Sequence, residues 1–275
     1  MNRLHRDILV QTRKLIRLHS LLGLNTYPKT KSLEQFLAQD PRAGNQVSRS
    51  SSNVNTLQPK PRKPSKTRKT CRISRNQASQ ALEELHRKIE FCSSCHLHAQ
   101  GLGKVIGMGK PGIRLLVVGD WTRPETKSSE PKASAQLSAQ LFGPGEDEML
   151  WKMMQAIDLT PEDVYLTNCI KCRPRTDSIP NADHEQTCFP YLLEEITVLQ
   201  PMLICSMGTR PTRLLLGKTA PLIRLRGRFH RCKRGEMRDI PIIPTFHPRF
   251  LLSHPEMKRA VWLDLQMIRQ YLQKQ

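Results

Sequence analysis

Four apolar, β-branched runs punctuate this chain from residue 113 onward: Ile113-Arg-Leu-Leu-Val-Val118, Val164-Tyr-Leu-Thr-Asn-Cys-Ile170, Met202-Leu-Ile-Cys205 and Ile240-Pro-Ile-Ile243. Helical patterns at about 146–157, 183–199 and 209–216 lie between them, and a last one covers 256–273. Apolar runs this unbroken suit strands buried on both faces, and their alternation with helices predicts a mostly parallel sheet flanked by helices. Pro161-Glu-Asp ahead of the second run and Gly208 after the third mark element boundaries. A further helical stripe, Ala81, Leu82, Leu85 and Ile89, leads straight into Cys92-Ser-Ser-Cys95.

A sheet of this kind collects its functional groups just past the carboxyl ends of its strands. Gly119-Asp120-Trp121 follows the first run, and Asn168 sits late in the second, ahead of Lys171-Cys172-Arg173-Pro174. Thr245-Phe246-His247-Pro248 follows the fourth. An acid, an amide and a histidine are therefore expected on one edge of the sheet. Each has an ordinary explanation alone: Asp120 capping a helix, Asn168 satisfying a turn, His247 packed in the core. Their placement at three strand ends makes them candidates together.

Charge divides the chain. Its 275 residues carry a formal net charge of +20, and residues 1–75 hold 17 Lys and Arg against 3 Asp and Glu, so +14 of the total stands there. Such an excess points to a polyanionic partner. Leu4, Ile8, Leu9, Leu15, Ile16, Leu18, Leu21 and Leu22 predict a short amphipathic helix that can dock on a protein partner, a membrane surface or its own domain. The Ser, Asn, Pro, Lys and Arg-rich run over 40–75 reads as a solvated linker whose basic half can neutralise phosphates. The expected organisation is a basic extension over 1–75 and one folded domain over 76–275. No run approaches the roughly 18 apolar residues that span a bilayer. Arg13, Lys14, Arg17 and His19 interrupt any secretory-type apolar core near the N-terminus, so a cytoplasmic location is expected.

In a reducing compartment, eight cysteines point to ligation rather than to a disulfide framework. Cys92 and Cys95 form one pair, Cys172 and Cys188 a second. Four thiolates in two separated pairs suit a 4Fe–4S cluster or tetrahedral zinc. Cys169 makes a second C-x-x-C with Cys172, but on a buried strand it reads as a small apolar side chain. Cys92-Ser-Ser-Cys95-His96 also matches the c-type haem motif, which would need export.

In this order the motifs resemble the uracil-DNA glycosylase superfamily, and most closely its iron–sulfur branch, family four. The resemblance runs from about Phe91 to Leu272 and rests on Val164-Tyr-Leu-Thr-Asn-Cys-Ile-Lys-Cys-Arg-Pro174, Cys188-Phe-Pro-Tyr-Leu192, Leu225-Arg-Gly227, Thr245-Phe-His-Pro248 and Cys92-x-x-Cys95. It implies a three-layer α/β/α sandwich around a mostly parallel four-stranded sheet. It also implies a base-excision repair enzyme, monomeric and nucleoid-associated, that hydrolyses the N-glycosidic bond of a flipped, deaminated base, uracil first. By the same resemblance Cys92, Cys95, Cys172 and Cys188 hold a structural 4Fe–4S cluster. Asn168 reads the base, Phe142 stacks on it, and His247 donates to uracil O2 as the base departs. A carboxamide matches the O4 acceptor and N3–H donor of uracil, whereas cytosine presents the reverse pattern.

The first motif departs from the family's Gly-Glu-x-Pro-Gly. Here Gly119-Asp-Trp-Thr-Arg-Pro-Glu125 keeps a carboxylate in Asp120, with Glu125 as a second candidate, and puts Trp121 where a small residue is usual. Two further readings follow: a member that binds DNA without excising, or a glycosylase for another damaged base such as hypoxanthine. Arg249 stands where the family usually has serine, and with Lys171 and Arg173 it is expected to grip DNA.

Overall fold

A computed structural model describes residues 74–100, 102–122, 141–175, 178–231 and 240–275. The amphipathic helix and linker expected within 1–73 lie outside the described residues, as do Glu125, Cys71 and Cys232.

Helix α1, Arg75–Glu90, opens with a capping box in which Ser74 accepts from the Gln77 amide and the Gln77 side chain reaches back to the Ser74 amide. Its buried stripe is Ala78, Leu82, Leu85 and Ile89, spaced by three and four residues. Strand β1, Leu115–Gly119, precedes α2, Pro144–Gln155; β2, Val164–Asn168, precedes α3, Ala182–Leu199. After β3, Leu203–Met207, come α4, Thr209–Leu216, and the single turn α5, Leu222–Leu225. Strand β4, His230–Arg231, then β5, Pro241–Thr245, lead to α6, Pro248–Ser253, and the closing helix α7, Lys258–Gln273.

The sheet order is β2-β1-β3-β5-β4, with the first four strands parallel and β4 antiparallel to β5. The structure therefore has a fifth strand where four were expected. Two residues are too few to leave a periodic signal, so β4 was invisible in the sequence. Strand residues alternate between two cores, as the period of two demands. Leu116, Val118, Ile204 and Ile242 pack with α1 and α3, while Leu115, Val117, Leu203, Cys205 and Ile243 pack with α2 and α7. Helices on both faces give the three-layer α/β/α sandwich.

The outer edge of β2 is not left bare. Residues 104–108 run antiparallel beside it, bridging Lys104 to Cys172 and Met108 to Leu166. The Met108 amide donates to Leu166 O and the Leu166 amide to Met108 O, each at 2.8 Å. Gly107 lets this strap lie flat, since a Cβ there would stand 2.3 Å from the Tyr165 hydroxyl.

Candidate active site

Parallel register brings the three strand ends together. Gly119 pairs with Asn168 across β1 and β2, and Asp120 follows at once; β5 ends at Thr245, and His247 caps α6 two residues later. The glycine is required by close approach: a Cβ at Gly119 would lie 2.2 Å from Phe142 Cε1 and 2.5 Å from Asn168 Oδ1. Without a side chain there, a phenyl ring and a carboxamide close over the end of β1.

Asn168 is fully buried. Its Nδ2 donates to Leu141 O at 2.7 Å and to Thr122 Oγ1 at 3.2 Å, and the Thr122 hydroxyl donates to the same carbonyl. That carbonyl fixes the amide's orientation, because an oxygen facing it would meet another acceptor. Oδ1 has no hydrogen-bond partner among the described residues. The sequence pointed to an amide that both gives and accepts; the structure commits the NH2 to the protein and leaves the carbonyl oxygen unbonded among the described residues.

Phe142 is equally buried and lies against His247, ring centroids 4.8 Å apart and planes tilted by 53°. Asp147 in the first turn of α2 holds this loop, its two carboxylate oxygens accepting from the Leu141 and Phe142 amides at 3.0 Å each. Burial raises the Asp147 pKa even against those amides.

His247 Nδ1 accepts the Arg249 amide at 3.1 Å, so a neutral ring carries its proton on Nε2. Nε2 stands 3.3 Å from Asp120 Oδ1, and that oxygen also accepts from the Trp121 amide at 2.8 Å. Asp264 steadies the strand end behind the histidine: it accepts from Thr245 Oγ1 at 2.6 Å and pairs with Arg226 of the Leu225-Arg-Gly227 motif at 2.9 Å. Asp120 and His247 open onto a cleft of about 460 Å³ that is also lined by Trp121, Arg210 and Arg249. The guanidinium carbons of Arg210 and Arg249 lie 4.7 and 5.5 Å from the Trp121 ring centroid.

Two of the three basic residues expected to face DNA are buried. Lys171 is 2% exposed and pairs with fully buried Glu195 at 2.7 Å, also donating to Thr167 Oγ1 at 2.6 Å. Arg173 is buried too. Both follow β2 into the protein body, because the strap over 104–108 covers the chain at that point. Arg249 turns inward, toward Asp120 and Glu146.

The four paired cysteines share one neighbourhood. Cys172 and Cys188 are buried, Cys92 and Cys95 partly so. The Cys172 thiol is raised by burial and also feels Cys95 and Cys92, while burial pushes Cys188 up to about 11 with further contributions from Cys172 and Cys95. Lys104 Nζ donates to Cys172 Sγ at 3.3 Å and to Cys92 O at 2.6 Å, placing a cation where thiolate charge would accumulate. Cys169 is fully buried, and its thiol donates to Asp120 O at 3.1 Å. Among the described residues no three His, Cys, Asp or Glu side chains converge on a single-ion site.

Thr122, Glu146, Asp147, Arg210 and Asp264 belong to this site and were not singled out in the sequence. Only Glu146 and Asp147 left a trace there, as acids in the first turn of a helix.

Comparison with known proteins gives the family. The family model described as the uracil DNA glycosylase superfamily matches residues 106–266. The chain belongs to the uracil-DNA glycosylase superfamily. Within it the similarity is to type-4 enzymes: 27% identity over 191 residues to the type-4 uracil-DNA glycosylase of Pyrobaculum aerophilum, covering 68% of this chain and 92% of the relative. The type-4 uracil-DNA glycosylase of Thermotoga maritima is 26% identical over 200 residues, covering 71% and 97%. That of Archaeoglobus fulgidus is 24% identical over 193 residues, covering 69% and 92%.

Proposed function

We propose that this protein is a uracil-DNA glycosylase that takes a flipped uracil from DNA and hydrolyses its N-glycosidic bond in base excision repair. The observation that carries the reading is Asn168: a fully buried carboxamide whose oxygen lacks a partner among the described residues and stands near the Phe142 ring. Uracil brings an N3–H to that oxygen, whereas cytosine has only a lone pair at N3, which would leave two acceptors facing each other in a dry site. Phe142 supplies the stacking surface.

Bond cleavage leaves negative charge on the departing base and positive charge on the sugar. His247, neutral with its proton on Nε2, donates to uracil O2 as that charge develops. Asp120 orients the attacking water and stabilises the sugar cation; Glu125 remains a second candidate for that part. The chemistry needs no metal-activated water.

The donor set of Cys92, Cys95, Cys172 and Cys188 fits a 4Fe–4S cluster: four thiols in one neighbourhood, with the Lys104 ammonium offsetting their charge. Bound there, the cluster supplies bracing and no redox step. It would tie the loop after β2 to α3, since Asn168 is only four residues from Cys172 and Cys188 lies on α3. The basic segment over 1–75 adds phosphate contacts and recruits a protein partner. The folded part works as a monomer, in the cytoplasm at the nucleoid.

The test is anaerobic purification followed by incubation with an oligonucleotide carrying one uracil, then alkaline cleavage. Strand scission at the uracil, abolished in Asp120→Ala and in Asn168→Ala, is the expected result. Intact DNA with a fully loaded cluster would reject excision of uracil.

A further inference from the structure

Arg249 is held more tightly than a surface arginine at a DNA-binding site needs to be. Its side chain is only 16% exposed. Nε donates to Glu146 Oε1 at 3.1 Å, and Nη1 stands 3.4 Å from both oxygens of Asp120. Nη2 donates to Trp121 O at 3.1 Å and faces Phe142 O at 3.5 Å. The guanidinium thus bridges the acid of the first motif, the acid that opens α2 and the backbone on either side of the base-reading residues.

The base-reading residues themselves are closed to solvent. Asn168 and Phe142 are both fully buried, and the cleft that reaches Asp120 and His247 is not lined by either of them. A buried carbonyl oxygen without a partner costs on the order of 1–3 kcal/mol unless a ligand satisfies it. Among the described residues Asn168 Oδ1 is such an oxygen, and Arg249 Nη2 binds the carbonyls of Trp121 and of Phe142, the ring beside it.

The two limbs of the bridge are unequal. Charge-assisted N–H to carboxylate bonds are usually about 2.7–2.9 Å long. The Glu146 limb approaches that length, whereas the Asp120 limb, at 3.4 Å to each oxygen, is stretched. A phosphate oxygen offers the guanidinium a shorter bidentate contact than Asp120 does. Free base and nucleoside bring no phosphate. Polynucleotide does, in the strand on either side of the flipped residue.

We propose that Arg249 is the residue that makes this site demand a phosphodiester: its guanidinium closes the base pocket until a backbone phosphate draws it off Asp120. Opening the pocket and freeing the Asp120 carboxylate are then one event. The inference rests on the glycosylase reading and adds to it a reason why serine is replaced by arginine at this position. Arg210, held beside Trp121 by Glu185 at 2.5 Å, stays in the cleft as the second cation toward the strand.

The test uses the full-length, cluster-loaded protein and two probes: free uracil, followed as an inhibitor or by ligand-induced thermal shift, and a uracil-containing oligonucleotide. Arg249→Ala is expected to bind free uracil roughly tenfold more tightly and the oligonucleotide roughly tenfold more weakly, about 1.4 kcal/mol in opposite directions. Glu146→Gln, which loosens the latch and keeps the guanidinium, is expected to tighten both. If Arg249→Ala weakens both probes, or leaves free uracil unchanged, the gate is wrong. The Glu146→Gln result decides the matter should the alanine variant not fold: failure to tighten free uracil overturns the proposal. A wild-type protein that excises nothing, with Arg249→Ala still gaining affinity for free uracil, supports the gate and rejects the glycosylase reading.

Discussion

Asn168 shows how a single side chain is given a direction. Leu141 O and Thr122 Oγ1 take its NH2, so among the described residues the oxygen is the part of the amide left without a partner. In Asn168→Asp a carboxylate oxygen would confront the Leu141 carbonyl. Excision of uracil should fall by roughly a hundredfold, about 2.7 kcal/mol at the transition state. Part of that loss should return below the carboxylate pKa, because a protonated Asp can again donate to Leu141 O. A pH–rate profile of the variant that rises toward neutrality, as a general-base defect would give, contradicts this account. Asp120, Asn168 and His247 were legible in the sequence because strand-end position alone brings them together. Thr122, Asp147 and Asp264 were not, since what defines each is a partner fixed by folding: Leu141 O is 19 residues from Thr122, and Arg226 is 38 from Asp264.

Among the elements, α3 and the end of β2 are joined by an unusual contact. Lys171 and Glu195 form a buried ion pair, with Thr167 donating to both Glu195 oxygens at 3.1 and 2.9 Å. Burial raises the Glu195 carboxyl, and Lys171 opposes that rise. The pair sits beside the residues that matter most, with Thr167 next to Asn168 and Lys171 next to Cys172. Breaking it from one side leaves an uncompensated charge in the core, so Lys171→Met should cost about 3–5 kcal/mol, and Lys171→Met/Glu195→Met should recover most of it. Denaturant midpoints of the single and double variants measure this; a double variant no more stable than the single would show that the pair does not act as a unit. The sequence placed Lys171 on DNA because a basic residue past a strand end usually faces ligand. Nothing local announced Glu195, 24 residues away on the next helix. Element types were read well, and α4 falls at the expected residues, because apolar periodicity is strong there. The short elements β4, α5 and α6 carry too few residues to show a period.

For the whole molecule, charge and protonation set the working conditions. His86, which meets the Tyr165 hydroxyl at 2.9 Å, has its pKa lowered by burial and by Lys171; His230 is lowered by burial as well. Each holds its proton less firmly folded than unfolded, so the unfolded chain takes up protons first as pH falls below the ordinary value of 6.5. The stability these groups contribute is complete above about 6.5 and is lost as pH falls through the lowered values. The part of the Tm carried by these histidines should therefore shrink between about pH 7 and pH 5, and His86→Gln should flatten the profile there relative to the unsubstituted protein. An unchanged pH dependence in His86→Gln would remove that histidine from the account. Among the described residues, no helix is long and apolar enough to cross a membrane.

The strap beside β2 carries one more consequence. A sheet edge with open amides and carbonyls is a template on which other chains can add strands, and proteins with unguarded edges aggregate. Here the guard is a segment of five residues, 104–108, whose first member, Lys104, also touches Cys172 and the carbonyl of Cys92. The same lysine that stands among the thiols anchors the cover of the sheet. Disturbance of the cysteine cluster therefore reaches the edge of β2 directly, and solubility and active-site integrity share one fastening.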